Sequence, residues 1–171
     1  MTQIFFTDST TLYTVYNAIA LRTPSIERII HVSGDVIKSN REVRVRIGTP
    51  ISSIIAECGG FSEEIEKVII NGLINGTAVA DLNTPVTKYV KAIKVVSKRS
   101  FPVQKINECI RCGNCSAVCP LKLHPENIVF NVEAPKLLEL CTNCGLCNAV
   151  CASRIPLSQI IKIMKEEKHA F

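Results

Sequence analysis

Apolar positions along the first hundred residues change period several times, and each period predicts an element. Over residues 9–21, Leu12, Val15, Tyr16, Ile19 and Ala20 recur at helical spacing. Ser9 or Thr10 suits the cap, and Pro24 stops the helix soon after its end. Ile29, Ile30 and Val32 around His31 then read as a strand that ends at Ser33-Gly34-Asp35. A second strand follows in Glu42-Val43-Arg44-Val45-Arg46-Ile47, where strict alternation buries one face and wets the other. Thr49 as cap and Pro50 at the first position open a short helix with Ile51, Ile54 and Ile55 inward, closed by Gly59-Gly60. Lys67 to Ile70 and Lys91 to Val96 read as further strands, with Asn71-Gly72 and Asn75-Gly76 as tight turns between them. Several strands and one crossing helix make a small α+β unit, for which a β-grasp arrangement fits the order.

The pattern changes at about residue 100. Ser97-Lys98-Arg99-Ser100-Phe101-Pro102 reads as a linker, with one cysteine before it (Cys58) and eight after it. The eight form a repeat. Cys109, Cys112, Cys115 and Cys119 have the spacing C-x2-C-x2-C-x3-C, and Cys141, Cys144, Cys147 and Cys151 reproduce it position for position. Gly113 matches Gly145, and Ala117-Val118 matches Ala149-Val150. Three thiolates at i, i+3 and i+6 on a tight loop can wrap three corners of an iron–sulfur cube. The fourth, expected at the start of a helix, lies too far round to close the same cube. In two-cluster ferredoxins such a cysteine ligates the other cluster. One [4Fe-4S] cluster is therefore assigned to Cys109, Cys112, Cys115 and Cys151, and a second to Cys141, Cys144, Cys147 and Cys119. Paired C-x2-C units also bind zinc, usually as two well-separated pairs, so two complete four-cysteine runs favour iron–sulfur.

Composition adjusts this picture in three ways. The formal charge of +5 counts thiols as neutral, and two oxidised cubanes on eight thiolates would add roughly −4. With the basic residues scattered as well, the charge gives no case for a nucleic-acid partner. No signal peptide precedes the cysteines: the run Ile4-Phe5-Phe6 is cut off by Thr7-Asp8-Ser9. No stretch is long enough to span a bilayer, so a reducing, cytoplasmic setting is expected, where clustered cysteines serve as ligands.

Other candidates are weaker. Cys58 reads as a core thiol. His31, His124 and His169 share no metal or triad spacing, and Glu63, Glu64 and Glu66 read as a solvated helix start. No G-x-G-x-x-G or P-loop occurs, so no FMN or NAD site is expected. Ile110, Val118, Leu121, Leu140, Leu146, Val150 and Ile155 flank the cysteines as candidate shields. Ala152 stands where the common pattern has proline, which loosens that turn. The last helix, Leu157 to Lys168, carries Ile160, Ile161 and Met164 on one side and is expected to pack on the cysteine-rich unit.

Taken together, the chain resembles the C component of the Rnf complex, the ion-translocating ferredoxin:NAD oxidoreductase. Val32-Ser33-Gly34-Asp35, Val43 to Pro50, Glu57-Cys58-Gly59-Gly60 and Pro85-Val86-Thr87-Lys88 resemble its soluble-ligand-binding β-grasp (SLBB) domain. Cys109-Ile110-Arg111-Cys112-Gly113 and Ile155-Pro156-Leu157 resemble its ferredoxin module. Asn71-Gly72-Leu73-Ile74 departs from the family's Gly-Gly-Pro-Met turn, and the family's N-terminal flavin- and NADH-binding domain is missing.

The resemblance implies a helical lead-in (1–27), an SLBB-like β-grasp domain (28–97) and a bacterial-type two-[4Fe-4S] ferredoxin domain (98–171). It implies an electron-transfer component that is not catalytic alone. Its partners would be a flavin- and NADH-bearing protein and membrane-bound redox subunits, met in the cytoplasm or peripherally on the inner face of the membrane. Cobalamin reductases of propanediol utilisation share similar modules and give an alternative relay. A partner-docking module with structural clusters is a second alternative.

Overall fold

The computed structural model describes residues 6–100, 105–130 and 135–169. Ile4 and Phe5 of the short apolar run, and Phe101 and Pro102 of the expected linker, lie outside them.

Helix α1 (Ser9–Ala20) is capped one residue earlier than the sequence suggests, because the Asp8 carboxylate accepts from the Thr11 N–H at 2.7 Å. Its periodic residues do not form a buried face: Leu12, Tyr16 and Ile19 are all exposed. Helical spacing creates an apolar stripe but does not supply something to cover it.

The remaining elements of the first half are β1 (Glu27–Gly34), β2 (Arg41–Arg46), α2 (Ile51–Glu57), β3 (Ile65–Ile70), β4 (Thr77–Val79) and β5 (Ala92–Ser97). They form one five-stranded sheet in the order β2-β1-β5-β3-β4. The first strand and the last are parallel neighbours at its centre, and every other pairing is antiparallel. The alternation in β2 is realised as expected: Val43 and Val45 are buried between exposed Glu42, Arg44 and Arg46. In β1 it is Ile30 and Val32 that point inward, while Ile29 lies on the wet face.

Helix α2 crosses this sheet and brings Ile51, Ile54 and Ile55 onto Ile30, Val68, Ile93 and Val95, with Cys58 in the same core. Pro50, not Thr49, holds the cap position, and no side chain caps the helix there. Glu63, Glu64 and Glu66 do not begin a helix: the chain bends at Ser62-Glu63 and enters β3, because Val68 to Ile70 pair with both neighbouring strands. Strand β4, unforeseen in the sequence, pairs with β3 across the Asn71 to Gly76 turn.

Beyond the sheet the chain forms short helices: α3 (Asn114–Val118), α4 (Pro125–Phe130), α5 (Pro135–Leu140), α6 (Leu146–Ala149) and α7 (Leu157–His169). Their buried residues make two separate clusters. One holds Cys115, Cys147, Ile155 and Leu157; the other holds Leu123, Ile128, Leu138 and Ile161. Helix α7 packs Ile161 fully inward, as its amphipathic pattern predicts, together with Leu157, while Ile160 and Met164 are half-buried. Elongated loops with this little apolar core need cross-links, and the cysteines stand where such links would form.

Candidate iron–sulfur centre

The sequence repeat is a repeat of backbone conformation. Gly113 and Gly145 have φ of 75° and 77° and start α3 and α6. Arg111 and Asn143, between the first two cysteines of each run, both stand at φ 53°. Lys122 and Arg154 repeat this further on, at 51° and 58°. Side chains other than glycine rarely hold positive φ, so four such residues in matching pairs mark an imposed loop shape.

The hydrogen bonds repeat too. The N–H groups of Ser116 and Ala117 donate to the Gly113 carbonyl, and those of Asn148 and Ala149 to the Gly145 carbonyl. The Leu123 N–H points at Cys119 Sγ and the Ile155 N–H at Cys151 Sγ, each at 3.4 Å. Such N–H groups stabilise negative charge on a thiolate. The turn after Cys151 is as tight as that after Cys119: the Arg154 and Lys122 N–H groups donate to the respective cysteine carbonyls, both at 3.1 Å. Ala152 in place of proline therefore leaves the turn unaltered.

Cys119 and Cys151 follow helices α3 and α6 and do not start new ones. This corrects the expected placement of the fourth cysteine. The reason is the glycine: its left-handed backbone starts the helix one step before the third cysteine, so the fourth falls at the helix end.

This arrangement sorts the eight thiols into two groups. Cys109, Cys112, Cys115 and Cys151 line one hollow of about 530 Å³, together with Arg111, Glu126, Phe130 and Ile155. Cys119, Cys141, Cys144 and Cys147 line another of about 20 Å³, closed in by Leu121, Leu123, Ile128 and Ile161. Three members of each group come from one run and the fourth from the other. Cys109 and Cys112 are exposed, Cys115 and Cys147 are buried, and the other four are half-buried. Among the described residues no three Cys, His, Asp or Glu side chains converge closely enough to share a single metal ion. An all-thiol donor set spread around a hollow, with backbone N–H groups aimed at sulfur, suits an iron–sulfur cube; the first hollow has room for one, while the second offers the same donors around little more than the space of one water.

Burial pushes the Cys115 thiol up to about 11, and the hydrogen bond to Glu126 adds to it. Burial also raises Cys147. Both hold their protons at neutral pH, so iron must displace them on binding.

Glu126 is the site residue that sequence reasoning missed. Its carboxylate takes the Cys115 thiol at 3.0 Å and the Ser116 hydroxyl at 2.7 Å on each oxygen. Burial pushes its carboxyl up, and the hydrogen bonds from Cys115 and Ser116 outweigh that, leaving it below its ordinary value. His124 Nδ1 lies 3.0 Å from the Ser116 hydroxyl and 3.7 Å from Glu126. The same ring nitrogen faces both groups, so this is no nucleophile–base–acid relay, which needs one nitrogen for each. The available signal was position: Glu126 follows Cys115 by eleven residues, as Ser158 follows Cys147 in the second repeat.

Of the expected shielding residues, Ile155 is buried and Val118, Leu146 and Val150 are half-buried, but Ile110, Leu121 and Leu140 are largely exposed. Their place is taken by Leu123, Ile128, Leu138, Leu157 and Ile161. Some sequence neighbours of the cysteines, such as Ile110, Leu121 and Leu146, line the hollows from their rims, while residues on the packed helices supply the fully buried walls.

These features define an iron–sulfur protein, and residues 101–152 match the family model described as a 4Fe-4S dicluster domain. A longer stretch narrows the class. Over 127 residues, 74% of this chain, it is 36% identical to the C component of the ion-translocating oxidoreductase complex of Rhodobacter capsulatus. It is 39% identical over 105 residues (61% of the chain) to the C component of the Na(+)-translocating ferredoxin:NAD(+) oxidoreductase complex of Acetobacterium woodii. Against the C component of the proton-translocating ferredoxin:NAD(+) oxidoreductase complex of Clostridium ljungdahlii it is 36% identical over 115 residues, 67% of the chain. The chain is similar to one part of these C components, and it spans about a quarter of the length of these relatives (24%, 24% and 25%). Among the described residues no helix is long and apolar enough to cross a membrane.

Proposed function

We propose that the chain relays single electrons through two [4Fe-4S] clusters within an Rnf-like ferredoxin:NAD oxidoreductase complex. The first cluster is held by Cys109, Cys112, Cys115 and Cys151, the second by Cys141, Cys144, Cys147 and Cys119. The observation that carries this reading is the sorting of eight thiols into two hollows, each drawing its fourth cysteine from the other run. Bound there, the clusters supply one-electron redox chemistry. The chain's own part is to supply thiolates, to aim the Leu123 and Ile155 N–H groups at sulfur, and to limit water with Leu157 and Ile161.

The strand order β2-β1-β5-β3-β4 with one crossing helix supports an SLBB-like β-grasp domain over residues 28–97. Residues 1–27 lead into it, and the ferredoxin domain occupies residues 98–171. Partners on this reading are a flavin- and NADH-bearing protein on one side and membrane-bound redox subunits on the other, with the chain held peripherally at the cytoplasmic face. A partner-docking role is a second reading, favoured by α1, which presents Leu12, Tyr16 and Ile19 to solvent with none of its residues buried.

Iron and acid-labile sulfide counted after anaerobic reconstitution, with EPR of the dithionite-reduced protein, test the relay. About eight of each per chain and two magnetically coupled centres are expected. Bound zinc without an EPR signal would refute it. Clusters that no reductant reduces, but whose removal abolishes partner binding, would favour docking.

A further inference from the structure

The two halves of the repeat share one backbone but not one electrostatic environment. Ser116 and Glu126 in the first half correspond, 32 residues on, to Asn148 and Ser158 in the second. Both pairs are in contact. The Ser116 hydroxyl donates to both Glu126 oxygens at 2.7 Å, and the Asn148 side-chain amide donates to the Ser158 hydroxyl at 2.8 Å while its carbonyl accepts from the Ser158 N–H at 2.9 Å. At the same place in the same fold, one site carries a carboxylate and the other a neutral hydroxyl.

The carboxylate reaches the ligand itself. Glu126 Oε2 accepts the Cys115 S–H at 3.0 Å and the side chain is 22% exposed, which limits screening; when iron displaces that proton the bond is lost, and the Ser116 hydroxyl keeps the carboxylate beside the sulfur. The other charges near this hollow are weaker opponents: Arg111 lines it from an exposed loop, and His124 is 58% exposed. The second site has a cation on its backbone. Lys165 Nζ donates to the Cys141 carbonyl at 2.6 Å and to the Glu139 carbonyl at 3.2 Å. Reduction adds a negative charge, which a neighbouring carboxylate opposes and a neighbouring ammonium favours.

We infer that Glu126 and its counterpart Ser158 set the two clusters at unequal potentials, the Cys109-Cys112-Cys115-Cys151 cluster being the lower. An electron reaching the chain then settles on the second cluster, beside α7, and the first is the stronger reductant. This rests on the two-cluster reading proposed above.

The test is an EPR-monitored redox titration of the reconstituted full chain, comparing wild type with Glu126→Gln, Glu126→Asp and Ser158→Asp. Glu126→Gln raises the lower midpoint by at least about tenfold in the reduction equilibrium, 59 mV for one electron, and leaves the upper one in place. Glu126→Asp keeps the low value. Ser158→Asp lowers the upper midpoint, and it decides the question alone should Glu126→Gln fail to load its cluster. Two clusters whose midpoints ignore all three changes, or a Glu126→Gln shift confined to the upper midpoint, would overturn the inference. Iron too low for two clusters in wild type would instead sink the two-cluster reading, and this inference with it.

Discussion

Replacing Gly145 with alanine should cost far more than the same change at Gly113, although the two glycines are equivalent in the repeat. Both hold nearly the same left-handed backbone, φ 75° and 77°. An alanine pays about 1–2 kcal/mol to stay there, partly offset by about 0.4–1 kcal/mol from a less flexible unfolded chain. The net backbone cost is therefore about 1 kcal/mol at either site. The surroundings differ. A Cβ on Gly113 would meet nothing within 4 Å. A Cβ on Gly145 would lie 2.3 Å from the backbone oxygen of Ile74 and 2.9 Å from its carbonyl carbon. That contact is inside any van der Waals limit, and the obstacle is main chain in the turn before β4, so no rotamer change relieves it.

Overpacking of this kind adds about 1–3 kcal/mol, so Gly145→Ala should cost about 2–4 kcal/mol in all. The assay is anaerobic loss of iron–sulfur absorbance with rising urea, read at equal incubation times for wild type and the two variants. Gly113→Ala should bleach slightly earlier than wild type and Gly145→Ala much earlier. Removing the Ile74 side chain should restore little, because its nearest side-chain atom is only the third-closest obstacle, at 3.2 Å. Equal sensitivity in the two glycine variants would refute the claim that the Asn71 to Gly76 turn packs against the second cysteine run.

Two further predictions concern the sheet. Ile93 is fully buried in β5 between β1 and β3, so Ile93→Ala should lose about 2–5 kcal/mol and Ile93→Val about 0.5–1.5 kcal/mol, measured by urea unfolding followed by circular dichroism; near-equal effects would argue against a packed core there. Asp35 is held down to about 2 by hydrogen bonds from the Ser100 and Ser97 hydroxyls, the latter at 2.5 Å, and from the Ser97 N–H at 3.1 Å. Its folded value lies below the ordinary 3.8, so its contribution is complete above about pH 4 and is lost as pH falls through about 2. Acid titration of stability should show that loss in wild type, and Asp35→Asn should flatten it; an unchanged profile would mean the links to Ser97 and Ser100 carry no stability.

Much of this was legible in the chain. Spacing is local information, so C-x2-C-x2-C-x3-C written twice disclosed the thiol chemistry, and strict alternation in β2 disclosed its buried face. Tetrahedral or cubic ligation needs only the right atoms at reachable separations, and the covalent chain sets those. The helix of residues 51–57 and its three inward isoleucines followed from period alone. Other features depend on residues far apart in sequence. Helix α1 has a proper apolar period and buries nothing, because a stripe is buried only when a second surface meets it. Glu63, Glu64 and Glu66 have helical composition, yet Glu63 lies in a bend, Glu64 directly before β3 and Glu66 within it, because the ladder with β5 claims the chain from Ile65 onward. Glu126 looked like any surface glutamate until the α3 and α4 helices set it on Cys115. Its charge, and the absence of one at Ser158, acquire meaning only at distances of a few ångströms, which the fold sets and the linear order of residues does not.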